Sequence, residues 1–229
     1  MRRSTNENNL ITLLNPKSRV SESYRTLRTN IQFSSMDAPM KVLMVASAQM
    51  DEGKTTTISN LAIAYAQEGK KVLLIDADLR KPSLHHVFSQ SNRIGLTNVL
   101  AKQNRWQEVI KDSLIENLTL LPSGPIPPNP SELLGTSRMQ VMLEEIKEEY
   151  DIILLDTPPI LAVTDSLVVS AYCDGVVMVV AAGKVDKELV KKAKASLEHV
   201  NARIIGLVLN NMNRKDVKAT LNYAYGAKE

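Results

Sequence analysis

"SAQMDEGKTTT", residues 47–57, decides how this chain folds. From Ala48 to Thr55 it follows the spacing G-x-x-x-x-G-K-[ST], with alanine standing at the first glycine. In such a loop consecutive backbone N–H groups point into one cradle, while a lysine and a hydroxyl serve phosphate oxygens and Mg²⁺. Gly53, Lys54 and Thr55 keep the chemical half of that pattern, and Thr56 follows them into the next element. The middle reads Met50-Asp51-Glu52, which brings two carboxylates to the place where phosphates would lie. The motif requires a strand before it and a helix after it, and both are legible. "KVLMVAS" (41–47) is a β-branched apolar run, and "TTTISNLAIAYAQEG" (55–69) has apolar residues at helical spacing and stops at Gly69, a natural residue just past a helix end.

Working outward, five more runs resemble the first: "KVLLID" (71–76), "NLTLLP" (117–122), "YDIILLD" (150–156), "GVVMVVAA" (175–182) and "RIIGLVLN" (203–210). Runs apolar on both faces are what parallel strands covered by helices on each side require. The expected fold is therefore α/β: a P-loop NTPase with a mostly parallel central sheet flanked by helices. Residues 1–16 are polar and read as a mobile N-terminal arm, 17–210 as the P-loop domain, and 211–229 as a polar C-terminal tail. "SRVSESYRTLRTNIQF" (18–33) reads as a helix leading into the first strand. In "SGPIPPNPSELL" (123–134) the prolines forbid regular structure until Asn129, which can cap a helix with Pro130 at its first position and Glu132 reaching back.

Composition narrows the class. A chain of 229 residues at 44% hydrophobic content suffices for one full domain. With 28 Lys and Arg against 25 Asp and Glu, it lacks the basic excess of a dedicated nucleic-acid binder. Cys173 is the single cysteine, so no internal disulfide forms, which fits a reducing compartment; in its apolar setting it reads as core filler. The longest apolar run, "VVMVVAA" (176–182), falls far short of the roughly 20 residues that span a bilayer. "MRRSTNENNL" lacks the apolar stretch of a secretory signal, and the expected location is cytoplasmic. His85, His86 and His199 have no metal-ligand spacing, and the lysines of 186–199 read as a solvated helix face.

Two further strand ends carry chemistry. "LLIDADLRKP" (73–82) places Asp76 and Asp78 two apart, on one side of an extended chain, and "IILLDTPP" (152–159) ends in Asp156. Ligands gather at the carboxyl ends of parallel strands, where the loop of residues 48–55 also sits. Three carboxylates beside a phosphate cradle suit Mg²⁺, held directly or through water, and can accept a proton from a hydroxyl. Taken singly, a strand-ending Asp is often a helix cap and Arg80 pairs with any nearby acid; their joint occurrence in this order points to a nucleotide site.

Together, "DEGKTTT", "LLIDADLRKP", "IILLDTPPI" and "SGPIPPNPSELL" resemble the bacterial protein-tyrosine kinases (BY-kinases) of capsule and exopolysaccharide synthesis, over about residues 17–210. The resemblance implies a deviant Walker-type fold that uses ATP and Mg²⁺ to phosphorylate tyrosine. By motif, Gly53, Lys54, Thr55 and Thr56 would bind nucleotide, Thr55, Asp76, Asp78 and Asp156 would serve the metal, and Lys54 and the three aspartates would be catalytic. Asn210 resembles the residue that contacts adenine in related ATPases, with a turn cap as the alternative. The pattern E-x-x-R-x-x-R at Glu22, Arg25 and Arg28 resembles the family's self-association motif, implying a ring-shaped homo-oligomer. The family also implies a membrane-anchored activator that recruits the chain to the inner face of the membrane, protein substrates in polysaccharide synthesis, and autophosphorylation, expected here at Tyr223 and Tyr225. The sequence departs from the family where Met50-Asp51 replaces Pro-Gly. A ParA- or MinD-like ATPase would carry a second lysine where Gln49 stands, and a non-catalytic scaffold would leave the loop empty.

Overall fold

The computed structural model describes residues 10–34 and 39–212. Seven strands form one sheet: β1 (Val42–Ala46), β2 (Val72–Asp76), β3 (Lys111–Asp112), β4 (Leu118–Leu121), β5 (Ile152–Asp156), β6 (Gly175–Ala181) and β7 (Ile204–Asn210). Their order is β3-β4-β2-β5-β1-β6-β7, and every pairing is parallel except that of the short edge strand β3 with β4. The six apolar runs of the sequence are the six parallel strands. β3 has no such run, because its two residues, Lys111 and Asp112, are both charged and too few to show a period.

Ten helices surround the sheet among the described residues. They are α1 (Ile11–Leu14), α2 (Arg19–Phe33), α3 (Lys54–Ala66), α4 (Leu84–Val87), α5 (Leu96–Leu100), α6 (Trp106–Val109), α7 (Pro130–Leu134), α8 (Ser137–Lys147), α9 (Asp165–Ser170) and α10 (Lys187–His199). None is long and apolar enough to cross a membrane. The pleat of β1 explains why its run is apolar throughout. Val42, Met44 and Ala46 enter the core on one face with Met139, Leu143 and Leu197, while Leu43 and Val45 enter the other with Ile58, Leu61 and Tyr65. Pro130 opens α7 as expected, although the Asn129 side chain makes no capping bond. Cys173 donates its thiol to the Val169 carbonyl at 3.3 Å, and burial pushes its pKa up, as core filler requires.

Within the expected N-terminal arm, residues 10–16 lie against the domain. Ile11–Leu14 forms a helical turn, Thr12 is buried, and its N–H donates to Asn60 Oδ1 of α3 at 2.9 Å. Ser21 of α2 ties the same stretch by donating to the carbonyls of Ile11 and Asn15. Short polar side chains that each find a backbone partner can dock a segment with little apolar surface to bury.

The same helix carries Glu22, Arg25 and Arg28, and the three part ways. Arg25 pairs with Glu22 at 2.7 Å and donates to the Pro16 carbonyl. Arg28 instead turns inward: Nη1 donates to the Ala64 carbonyl at 2.7 Å, near the C-terminal end of α3, and Nη2 lies 3.5 Å from Glu68. A cation at a helix C-terminus meets the negative end of the dipole and satisfies a carbonyl that has no partner inside the helix. Arg28→Ala should therefore lower stability by about 2 kcal/mol, a charge-assisted hydrogen bond lost at a partly buried site, read as a drop in denaturation midpoint with unchanged slope. Arg25→Ala is the control, expected to change it little.

Candidate nucleotide site

The carboxyl ends of β1, β2 and β5 meet at the point where the strand order reverses, so the loops that leave them face one cleft. After β1 the chain runs through Asp51 at φ 60° and Gly53 at φ 92° before α3 begins at Lys54. Glycine at position 53 suits the backbone, and any other residue would also displace the Asn210 side chain. Its φ lies in the left-handed region, and a Cβ there would sit 2.0 Å from Asn210 Nδ2. Position 51 takes a positive φ, and Asp, a residue that tolerates that region, occupies it. The N–H groups at the start of α3 have no partner within the helix, which makes this end a binding place for an anion.

Glu52 does not lie where the phosphates would be. It is 1% exposed and turned beneath the loop, leaving Asp51 as the exposed acid of the pair. Lys54, Thr55 and Thr56 line a cleft of about 660 Å³ together with Asp78, Arg80 and Pro158.

Asp76 and Asp156 lie opposite one another on the adjacent strands β2 and β5, both buried. Asp76 Oδ2 accepts the N–H groups of Ser83 and Leu84, each at 3.0 Å, and thereby caps α4, while Oδ1 accepts the Asp78 N–H at 3.3 Å. Asp156 Oδ2 accepts the Thr55 hydroxyl at 2.6 Å, and that hydroxyl in turn lies 3.2 Å from Ser83 Oγ. Since the Thr55 hydroxyl hydrogen is engaged by the carboxylate, Ser83 is the donor in the second bond. Asp156 Oδ1 is buried and has no hydrogen-bond partner within the protein. Burial raises both acids against their ordinary range. For Asp76 the charge of Asp156 adds to the effect, and Asp156 is pushed up to about 7 although the Thr55 hydroxyl and Lys54 oppose the shift.

Asp76, Asp78 and Asp156, the carboxylates expected to serve the metal, are engaged in different ways. Among the described residues no group of three His, Cys, Asp or Glu side chains converges on one point. Asp76 is occupied by backbone donors and Asp78 Oδ1 by the N–H groups of Arg80 and Lys81. What remains, the Thr55 hydroxyl beside a carboxylate with one unpartnered buried oxygen, suits Mg²⁺, which keeps most of its waters and binds through one or two protein groups plus phosphate.

Residues 40–205 match the model of a family described as "AAA domain". The tyrosine-protein kinase YwqD of Bacillus subtilis is 45% identical over 229 residues, which is all of this chain and 95% of that protein. The chain belongs to the bacterial tyrosine-protein kinase family. Solved structures agree: the chimerical protein CapA2B2 superposes with a TM-score of 0.87 at 39% identity, covering 90% of this chain and 91% of that one. The kinase domain of Escherichia coli tyrosine kinase ETK gives 0.87 at 36%, covering 90% and 81%. Membership in this kinase family sets aside the partition-ATPase reading, which Gln49 had already disfavoured.

Two features of the kinase site escaped sequence reasoning. Arg80 does not pair with a surface acid; it grips the buried Asp165 of α9 with two bonds, at 2.9 and 3.0 Å. Ser131 of α7 donates to the same carboxylate, and Thr164 lies 3.1 Å from Ser131. The proline-rich segment thus reaches the nucleotide cleft through one shared acid, Asp165, which carried no motif of its own. The second is the partner of Asn210, a residue expected at adenine or as a turn cap: its Nδ2 donates to the Glu52 carbonyl at 2.9 Å, so that its amide is held by the loop. Tyr223 and Tyr225 lie outside the described residues.

Two outcomes follow from this geometry. Asp51→Gly should tighten Mg²⁺·ATP binding about threefold to fivefold, by relaxing a left-handed backbone and removing an exposed acid near phosphate, in a fluorescent-nucleotide titration. An acid whose pKa is raised on folding holds its proton longer in the folded state, so the stability it contributes is full below the unfolded value of about 4 and is lost as pH rises toward 7. Nucleotide-free protein should therefore lose stability between pH 4.5 and 7.5 in urea titrations, and Asp156→Asn should flatten that slope.

Proposed function

We propose that this chain is an ATP-dependent protein-tyrosine kinase that transfers the γ-phosphoryl group of ATP to tyrosine hydroxyls, its own tail tyrosines included, in the regulation of exopolysaccharide or capsule synthesis. The observation that carries the reading is the junction of the Gly53–Lys54 cradle with the Thr55–Asp156 pair and Asp78 in one cleft. Lys54, 9% exposed at the base of that cleft, compensates charge on the phosphates together with the first N–H groups of α3. Thr55 and Asp156 would hold Mg²⁺, which when bound would neutralise charge on the phosphate oxygens. Asp78 lines the cleft whereas Asp76 is fully buried, which supports Asp78 as the group that accepts the phenol proton. The tyrosine oxygen forms its bond to the γ-phosphorus as the bond from that phosphorus to the bridging oxygen of ADP breaks.

Burial weighs most against Tyr65 as an acceptor, while Tyr24, Tyr150 and Tyr172 are half-buried. Tyr65 is 3% exposed in the core, and burial raises the phenols of Tyr24, Tyr65 and Tyr150 above their ordinary range. Tyr223 and Tyr225 stand in the polar stretch "NYAYGAKE", whose sequence offers few apolar residues to a core. With few apolar neighbours in sequence, they can extend into a second subunit's cleft at high effective concentration. Association through the face of α2 that carries the exposed Glu22 and the half-buried Arg25, and a membrane-anchored activator that brings the kinase to the inner membrane face, complete the reading.

Lys54→Met should abolish phosphotyrosine formation while leaving the fold intact. Mixed with an active chain whose Tyr223 and Tyr225 are phenylalanine, labelled ATP and Mg²⁺, the Lys54→Met chain should carry the label on its tail. An unlabelled tail despite co-assembly would overturn transfer in trans, and phosphotyrosine made by Lys54→Met alone would overturn the site.

A further inference from the structure

The middle of the phosphate loop holds a carboxylate that the mechanism does not use. Glu52 Oε1 accepts the Gln49 N–H at 2.6 Å, closing the loop on itself. Its Oε2 accepts the Ala181 N–H, the last residue of β6, at 3.2 Å, and its carbonyl accepts Asn210 Nδ2 at the end of β7. One residue therefore ties the loop to itself and to two strand ends. It sits between Asp51 and Gly53, the two positions that pass through the left-handed region. A turn with a non-glycine residue at positive φ persists only where surrounding contacts over-determine it, and here those contacts converge on Glu52.

We propose that Glu52 is a positioning residue for nucleotide binding. It takes up the N–H of Gln49 on the far side of the loop and fixes the bend that aims the N–H groups of Gly53, Lys54 and Thr55 into the cleft. The inference rests on the nucleotide reading above, but its sign is its own. On charge alone, removing a carboxylate from beneath a phosphate site would strengthen ATP binding. As a positioning residue, Glu52 must weaken it when changed. Glutamine is the telling replacement, because both oxygens accept from backbone N–H groups and the NH₂ of an amide would face one of those donors.

The test is titration of full-length Glu52→Gln against wild type with fluorescent Mg²⁺·ATP and, in competition, Mg²⁺·tripolyphosphate, with thermal unfolding and kinase kinetics in parallel. Expected is about tenfold to hundredfold weaker binding of both ligands, the scale set by leaving one charge-assisted backbone donor unpaired, with KM for ATP raised and kcat at saturation retained. Equal or tighter binding overturns the proposal, as does a loss of kcat at unchanged KM. Loss for ATP but not for tripolyphosphate also overturns it, since that pattern belongs to a base contact. Should Glu52→Gln fail to fold, Asn210→Ala removes the tie from β7 at a half-exposed position and is read by the same two ligands. Failure of the wild type itself to bind either ligand would instead refute the nucleotide reading.

Discussion

The structure depends on two carboxylates, Asp76 and Asp156, placed opposite each other at the ends of adjacent strands in an interior that excludes charge. Removing ionised groups from water costs several kcal/mol each unless hydrogen bonds replace the lost hydration. Each acid therefore dictates what lies around it. Asp76 requires backbone donors, and the chain after β2 supplies them by starting α4 at Ser83 and Leu84. Asp156 requires a donor from α3, which fixes Thr55 and hence the pitch at which the phosphate loop enters its helix. The loop's place over the sheet is a consequence of satisfying these two groups.

The same logic extends outward through Asp165. It is fully buried, and Arg80 supplies both the opposite charge and a two-pronged geometry that a lysine could not. Ser131 and Thr164 complete the set. Breaking such a group leaves an uncompensated charge, so the segment after β2, the proline-rich segment and α9 are held in one arrangement around the cleft.

Within the loop, two neighbouring acids illustrate how position decides role. Asp51 is exposed and contributes negative charge near phosphate, whereas Glu52 is buried and accepts two backbone donors. Nothing in their chemistry separates them. The left-handed turn at Asp51 sends one side chain out and the next one in.

What the sequence determined by itself is local or periodic. The six apolar runs gave the parallel strands, Gly53-Lys54-Thr55 gave the cradle, and Asp76 and Asp156 could be placed at strand ends, because period and spacing along a chain are properties of the chain. Pairing across the fold was not legible. That Arg80 meets Asp165, that Arg28 turns inward to Ala64, that Asn210 and Glu52 share a bond, and that Asp76 is taken up by Ser83 and Leu84 all join residues from different elements or loops. Most are separated by tens of residues, and hydrogen-bond satisfaction in a buried space depends on which donors the packed helices bring within about 3 Å, a matter no local pattern encodes. Only the tertiary structure could decide those partners.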